Sequence, residues 1–220
     1  MQKILTSHKF SHVTKALRYM TLRLSRVPEL SSYIPEVNDL RIKLQNEWDT
    51  WQEAVENRIA LTGEIEYLDK DVDRDVVTIG QTAWLHYDRK RTNPNFKKLF
   101  PVSPSVMVKE VAGQNQMRWV KTLIETIYTD DEYAFLRDLT PNLTTNMEKL
   151  QGAINQREEL YRQEALARVN YTIVLDNVRN TYNSLYHQFL LAMPDEKSLV
   201  ESLFYSKNPA INTEDPTEDN

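Results

Sequence analysis

Residues 44–87 read LQNEWDTWQEAVENRIALTGEIEYLDKDVDRDVVTIGQTAWLHY. Apolar side chains fall at Leu44, Trp48, Trp51, Val55 and Ile59, then at Ile65, Leu68, Val72, Val76, Ile79, Ala83 and Tyr87. The steps are 4, 3, 4, 4 and then 3, 4, 4, 3, 4, 4. That spacing is the signature of one buried face of an α-helix. A 3-4-4 repeat closes every 11 residues, which favours a straight or slightly right-handed bundle over a left-handed coiled coil.

A second run, over residues 142–193, carries the same kind of stripe. Leu143, Met147, Leu150, Ile154, Tyr161 and Ala165 lead into Val169, Ile173, Val178, Tyr182, Leu185, Phe189 and Ala192. Its middle, residues 155–164, is strongly polar, so only a thin edge of that stretch is expected to be buried.

Proline marks where helices end or begin, because it breaks helix interiors but suits the first helical position. The nine prolines leave long proline-free runs at 36–93 and 142–193. Ser103-Pro104 and Thr140-Pro141 read as N-cap followed by N1 proline. Thr129 and Glu132 have capping-box spacing, which restarts a helix over about 130–138. Pro194, Asp195 and Glu196 open a short last helix, and residues 93–102 read as one long loop.

These signals predict an all-α fold, an elongated antiparallel helical bundle. Its two very long helices run over about 36–91 and 141–193, and two shorter ones over about 2–26 and 104–128. At 1.5 Å per residue, 50 or more helical residues extend roughly 75–84 Å, against a radius of gyration near 17 Å for a compact chain of this length. A rod over residues 1–206 as a single domain is therefore expected, followed by an acidic, disordered tail over 207–220.

Composition agrees. The 220 residues include only four glycines and no cysteine. Sheet folds and phosphate loops need glycine, and disulfides and thiol chemistry need cysteine. All four glycines fall inside helical pattern, which makes Gly63 and Gly152 the expected places for a kink or a close helix approach. No apolar run reaches the roughly 18 residues that span a bilayer.

The net charge of −5 hides strong segregation. Residues 1–28 carry six Lys/Arg and no acid, residues 46–75 ten acids against three bases, and residues 86–121 eight bases against two acids. Arg89, Lys90, Arg91, Lys97 and Lys98 form a candidate basic patch for nucleic acid, with Phe96 and Phe100 beside it. Those two aromatics read more simply as core plugs.

No motif for chemistry stands out. His8 and His12 share a helix face at i, i+4 but lack a third ligand, and no Glu-x-x-His pair occurs. Asp69, Asp71, Asp73 and Asp75 read as a solvated acidic face. Trp48, Trp51, Trp84 and Trp119 are candidate partner-binding anchors, since tryptophan is enriched at interface hot spots. The sequence thus points to a non-enzymatic structural or adaptor subunit that self-associates as a homo-oligomer or docks into a larger protein assembly, in the cytoplasm or a cytoplasmic assembly or particle, with protein partners and no cofactor. A nucleic-acid-associated module using segment 89–98 is the alternative, and a metal-dependent helical-bundle enzyme a weaker one.

Overall fold

The computed structural model describes residues 3–109 and 112–206; the acidic segment 207–220 lies outside them. The fold is all-α, and no strand occurs among the described residues. In chain order the helices are α1 (Phe10–Leu24), α2 (Ile34–His86), α3 (Pro94–Leu99), α4 (Pro104–Met107), α5 (Gln114–Thr129), α6 (Thr140–Ala192) and α7 (Lys197–Ser202). Two 3-10 segments, Pro28–Tyr33 and Asp131–Leu139, precede α2 and α6. The two long helices each contain 53 residues, and their helical hydrogen bonding runs through Gly63 and Gly152 without a break.

Contacts divide the chain into two compact units. One is built from Met1–Glu53 and Ala165–Asn220, the other from the uninterrupted stretch Ala54–Glu164. Each long helix contributes residues to both.

In the first unit, α1 buries Val13, Ala16, Leu17, Met20 and Leu24. They meet Val37 and Leu44 of α2, Val178, Tyr182, Leu185 and Phe189 of α6, and Val200 of α7. Tyr33 packs on Phe189 and Trp48 on Tyr171, so α2 and α6 run antiparallel here. The α1 helix starts at Phe10 rather than near residue 2. Residues before it are held from α6 instead. Ile4 N–H donates to Asn183 Oδ1 at 2.9 Å, and Asn183 Nδ2 donates to Ile4 C=O at 3.0 Å. Arg179 donates to the His8 carbonyl, and Leu5 N–H donates to His8 Nδ1. Main-chain groups tied to long-range partners in this way have no need of helix. Asn183→Ala is expected to lower stability by about 1–2 kcal/mol. Hydrogen exchange at Ile4 checks it directly, since that amide loses its acceptor.

In the second unit, α2 buries Ile65, Val72, Val76, Ile79 and Ala83 along the predicted 3-4-4 face, with Tyr87 just past its end; Leu61 is buried in place of the predicted Ile59, which is 57% exposed. They pack on Met117, Val120, Leu123 and Ile127 of α5 and on Leu143, Leu150 and Ile154 of α6. Asp75 pairs with Asn146 and Arg58 with Glu164, so α2 and α6 are antiparallel here too.

Several boundaries differ from the sequence reading. Helix α2 begins at Ile34, with Pro35 in its first turn, and ends at His86 instead of 91. It stops because Asp88 (φ 53°) and Arg89 (φ 61°) turn left-handed, and Arg89 N–H reaches back to Trp84 C=O at 2.8 Å. The expected helix 104–128 is two helices, and Gly113 stands at the N-cap of α5 rather than inside a helix. The expected loop 93–102 contains α3, capped by Asn93 Oδ1 accepting from Asn95 N–H at 2.8 Å. The segment after Thr129 is 3-10 rather than α, and Asp130 caps it by accepting from Glu132 N–H. The last helix opens at Lys197 rather than 195.

The glycine expectation also shifts. A Cβ on Gly63 or Gly152 would meet nothing within 4 Å, so neither marks a close approach. Gly80 does. A Cβ there would lie 2.7 Å from Cγ of Pro104, the first residue of α4.

Candidate interaction surfaces

The α6 stripe predicted from residues 161, 165, 169 and 173 is not the buried one. Tyr161, Val169 and Ile173 are 52%, 55% and 54% exposed. The buried face runs instead through Ala167, Tyr171, Leu175, Val178 and Tyr182. The polar stretch 155–164 carries no apolar anchor strong enough to hold the register from one stripe to the next. The consequence is an outward apolar line on α6, formed by Leu166, Val169 and Ile173 at i, i+3, i+7, with Leu166 63% exposed. Residues at that spacing share one helix face.

The four candidate tryptophans fall in different surroundings, and all are half-buried. Trp48 and Trp51 belong to a cluster of four rings. Phe10 stacks on Trp48 (4.6 Å, 11°) and Tyr171 stacks on Trp51 (5.2 Å, 23°). The two indoles meet edge to face at 5.3 Å. The Trp51 indole N–H is buried without an acceptor. Burial pushes the Tyr171 hydroxyl up, against the opposing pull of Arg179 and the bond from Phe10 N–H. Trp84 lines a cavity with Val77, Gly80, Phe96 and Pro104, and the Arg89 guanidinium lies 5.9 Å from its ring centre. Trp119 lines another cavity with Leu99, Val102 and Met107. The structure therefore gathers only Trp48 and Trp51 into one site.

Arg89, Lys90, Arg91, Lys97 and Lys98 are all exposed. Lys98 pairs with Asp130 at 2.7 Å. That contact raises the lysine pKa and lowers that of the aspartate, whose oxygens also accept from Glu132 N–H. Phe96 and Phe100 are only 5% exposed and 5.3 Å apart. They plug the core, and neither ring face is offered to a base.

Histidines and carboxylates are placed as follows. The His8 and His12 rings lie 3.9 Å apart, and His86 stacks on Phe135 at 3.8 Å. Among the described residues, no three His, Asp or Glu side chains are grouped to hold a metal ion. The acidic run on α2 is more than a solvated face. Asp75 accepts from Asn146 of α6, while Asp69 and Asp73 both accept from the buried Gln116 of α5. The i, i+4 spacing of those two aspartates is a sequence signal; their glutamine partner is not. No described helix is long and apolar enough to cross a membrane. No family model, curated protein or solved structure matches the chain.

Proposed function

We propose that this chain is a non-enzymatic structural or adaptor subunit that works by associating with protein, in the first instance with further copies of itself, inside a cytoplasmic assembly. The observation that carries the reading is the outward line Leu166, Val169 and Ile173, three apolar side chains each more than half exposed on one helix face. Contiguous apolar surface of this kind favours a protein contact, and i, i+3, i+7 is the spacing by which helices interlock. The half-buried Trp48 and Trp51 lie in the same unit and supply ring area to a neighbour.

Sedimentation velocity of the full chain tests this. Wild type is expected to sediment as an oligomer at tens of micromolar, and a Leu166→Glu, Ile173→Glu double variant as a folded monomer, with association weakened at least tenfold by charge buried at the contact. Wild type sedimenting as a monomer throughout that range overturns self-association.

Segment 89–98 supports nucleic-acid binding less well. Its five cations are exposed, but Lys98 is engaged by Asp130 and the neighbouring phenylalanines are buried.

A further inference from the structure

One incomplete polar arrangement among the described residues lies in the second unit, where α5 meets α2. Gln116 is 1% exposed, the most buried glutamine side chain of the fold's described core. Its Nε2 donates to Asp69 Oδ1 at 2.6 Å and to Asp73 Oδ1 at 3.2 Å. Its Oε1 is also buried and has no donor. Two ionised carboxylates can only accept. With both ionised, they share one amide nitrogen, repel each other, and leave the amide oxygen unsatisfied.

We propose that Asp69, Asp73 and Gln116 form a binding site for one proton, and that its occupancy strengthens the packing of α5 on α2. A single proton on Asp73 removes each defect. The new O–H donates to Gln116 Oε1 once the amide turns, while an N–H of Nε2 stays on the Asp69 carboxylate. The like-charge repulsion disappears, and Gln116 Oε1 gains the donor it lacks.

Lys70 and Arg74 stand on the same helix, but neither is among the groups that set the Asp73 carboxyl. Asp73 faces Asp69 on its own helix and the neutral Gln116 from α5. Asp71 is paired with Arg74 at 2.8 Å, and Asp75 takes its hydrogen bond from Asn146 of α6. Desolvation first, and the charge of Asp69 second, push the Asp73 carboxyl up from 3.8 to about 6, against the opposing bond from Gln116. The sign of the linkage follows. A carboxyl whose folded pKa is raised disfavours the folded state once ionised. Its penalty is absent below the ordinary aspartate range, grows between about 4 and 6, and is complete above that window.

Carboxyl carbon-13 NMR of the full chain and thermal melting across pH test the site together. The Asp73 resonance is expected to titrate near the raised value in wild type, and lower in Asp69→Asn, where the repelling charge is gone. Asp73→Asn is expected to melt about 3–5 °C above wild type at about pH 7.5, with the gap narrowing as pH falls from about 6 and closed only below about pH 4. The site is overturned if Asp73 titrates in the ordinary aspartate range, or if the gap in melting temperature does not change with pH. It is also overturned if millimolar Mg²⁺ at neutral pH raises the wild-type melting temperature as much as acid does, since the trio then holds a cation instead of a proton.

Discussion

Replacing Phe189 by alanine is expected to remove about 3–5 kcal/mol of stability, the range for emptying a phenylalanine-sized site in a packed core. Phe189 has no solvent exposure. Its ring centre lies 5.0 Å from Tyr33, edge to face, and 5.9 Å from Phe204. Three separate pieces of chain therefore converge on one ring: the 3-10 segment before α2, the last turns of α6, and the residues after α7. Edge-to-face pairs add about 0.5–1.5 kcal/mol beyond burial. Tyr182 borders the same cluster, 5.2 Å from Phe204, with its hydroxyl accepting from Tyr205 N–H at 3.1 Å. Burial raises the pKa of that hydroxyl. The pocket is thus framed by side chains that cannot collapse inward without giving up their own contacts. Urea denaturation measures the total loss. Hydrogen exchange locates it, with protection falling first in α7. A loss under 1 kcal/mol would mean the site closes freely, against the packing described.

Gly80→Ala is expected to cost about 1–3 kcal/mol, although alanine is the better helix former. The new methyl would fall 2.7 Å from Pro104 Cγ and 3.2 Å from Pro104 Cβ, closer than carbon atoms pack. Pro104 is a rigid ring at the first position of α4, so it cannot swing aside as a flexible chain end would. Gly63→Ala and Gly152→Ala provide the contrast. Both positions are exposed helix interior with nothing within 4 Å, and each change is expected to stabilise by up to about 1 kcal/mol. Thermal melts of the three variants should therefore split in sign. If Gly80→Ala is stabilising like the others, α4 does not rest on α2 as described.

What could be read from the sequence was what depends on neighbours along one helix. The face of α2 from Ile65 to Tyr87 follows from its 3-4-4 steps because neighbouring members lie one turn apart, whereas just before it Leu61 rather than Ile59 is buried. The asparagine-proline pair at Asn93 and Pro94 carries the same N-cap signal that locates α4, but the short polar segment around it has the composition of a loop. The α6 register was different in kind. Beyond the polar stretch 155–164, two apolar stripes compete, one through Val169 and Ile173 and one through Tyr171 and Leu175. Only packing against α1 and α2 selects between them. Residues 3–9 carry no local signal against helix, because the groups that hold their main chain, Asn183 and Arg179, stand about 170 or more positions away. The Asp69 and Asp73 pair was visible as a spacing, but its meaning depends on Gln116, a residue on another helix with no motif around it.

The division of the chain has a consequence for how it acquires structure. The second unit is one unbroken stretch, Ala54–Glu164, whereas the first is assembled from the segments on either side of it. Bringing those flanks together as free chain means closing a loop of roughly 110 residues, an entropic penalty on the order of 4 kcal/mol. Once Ala54–Glu164 has folded, its two ends are fixed by the antiparallel pairing of Arg58 with Glu164, and that penalty has already been met. The favoured order is therefore inside-out along the chain. The central stretch is expected to form first, and the flanking segments to pair with each other afterwards. A ribosome completes the whole central stretch before the last part of the first unit has been made. Contacts such as Tyr33 with Phe189, separated by most of the chain, are therefore expected in the last step of folding rather than the first.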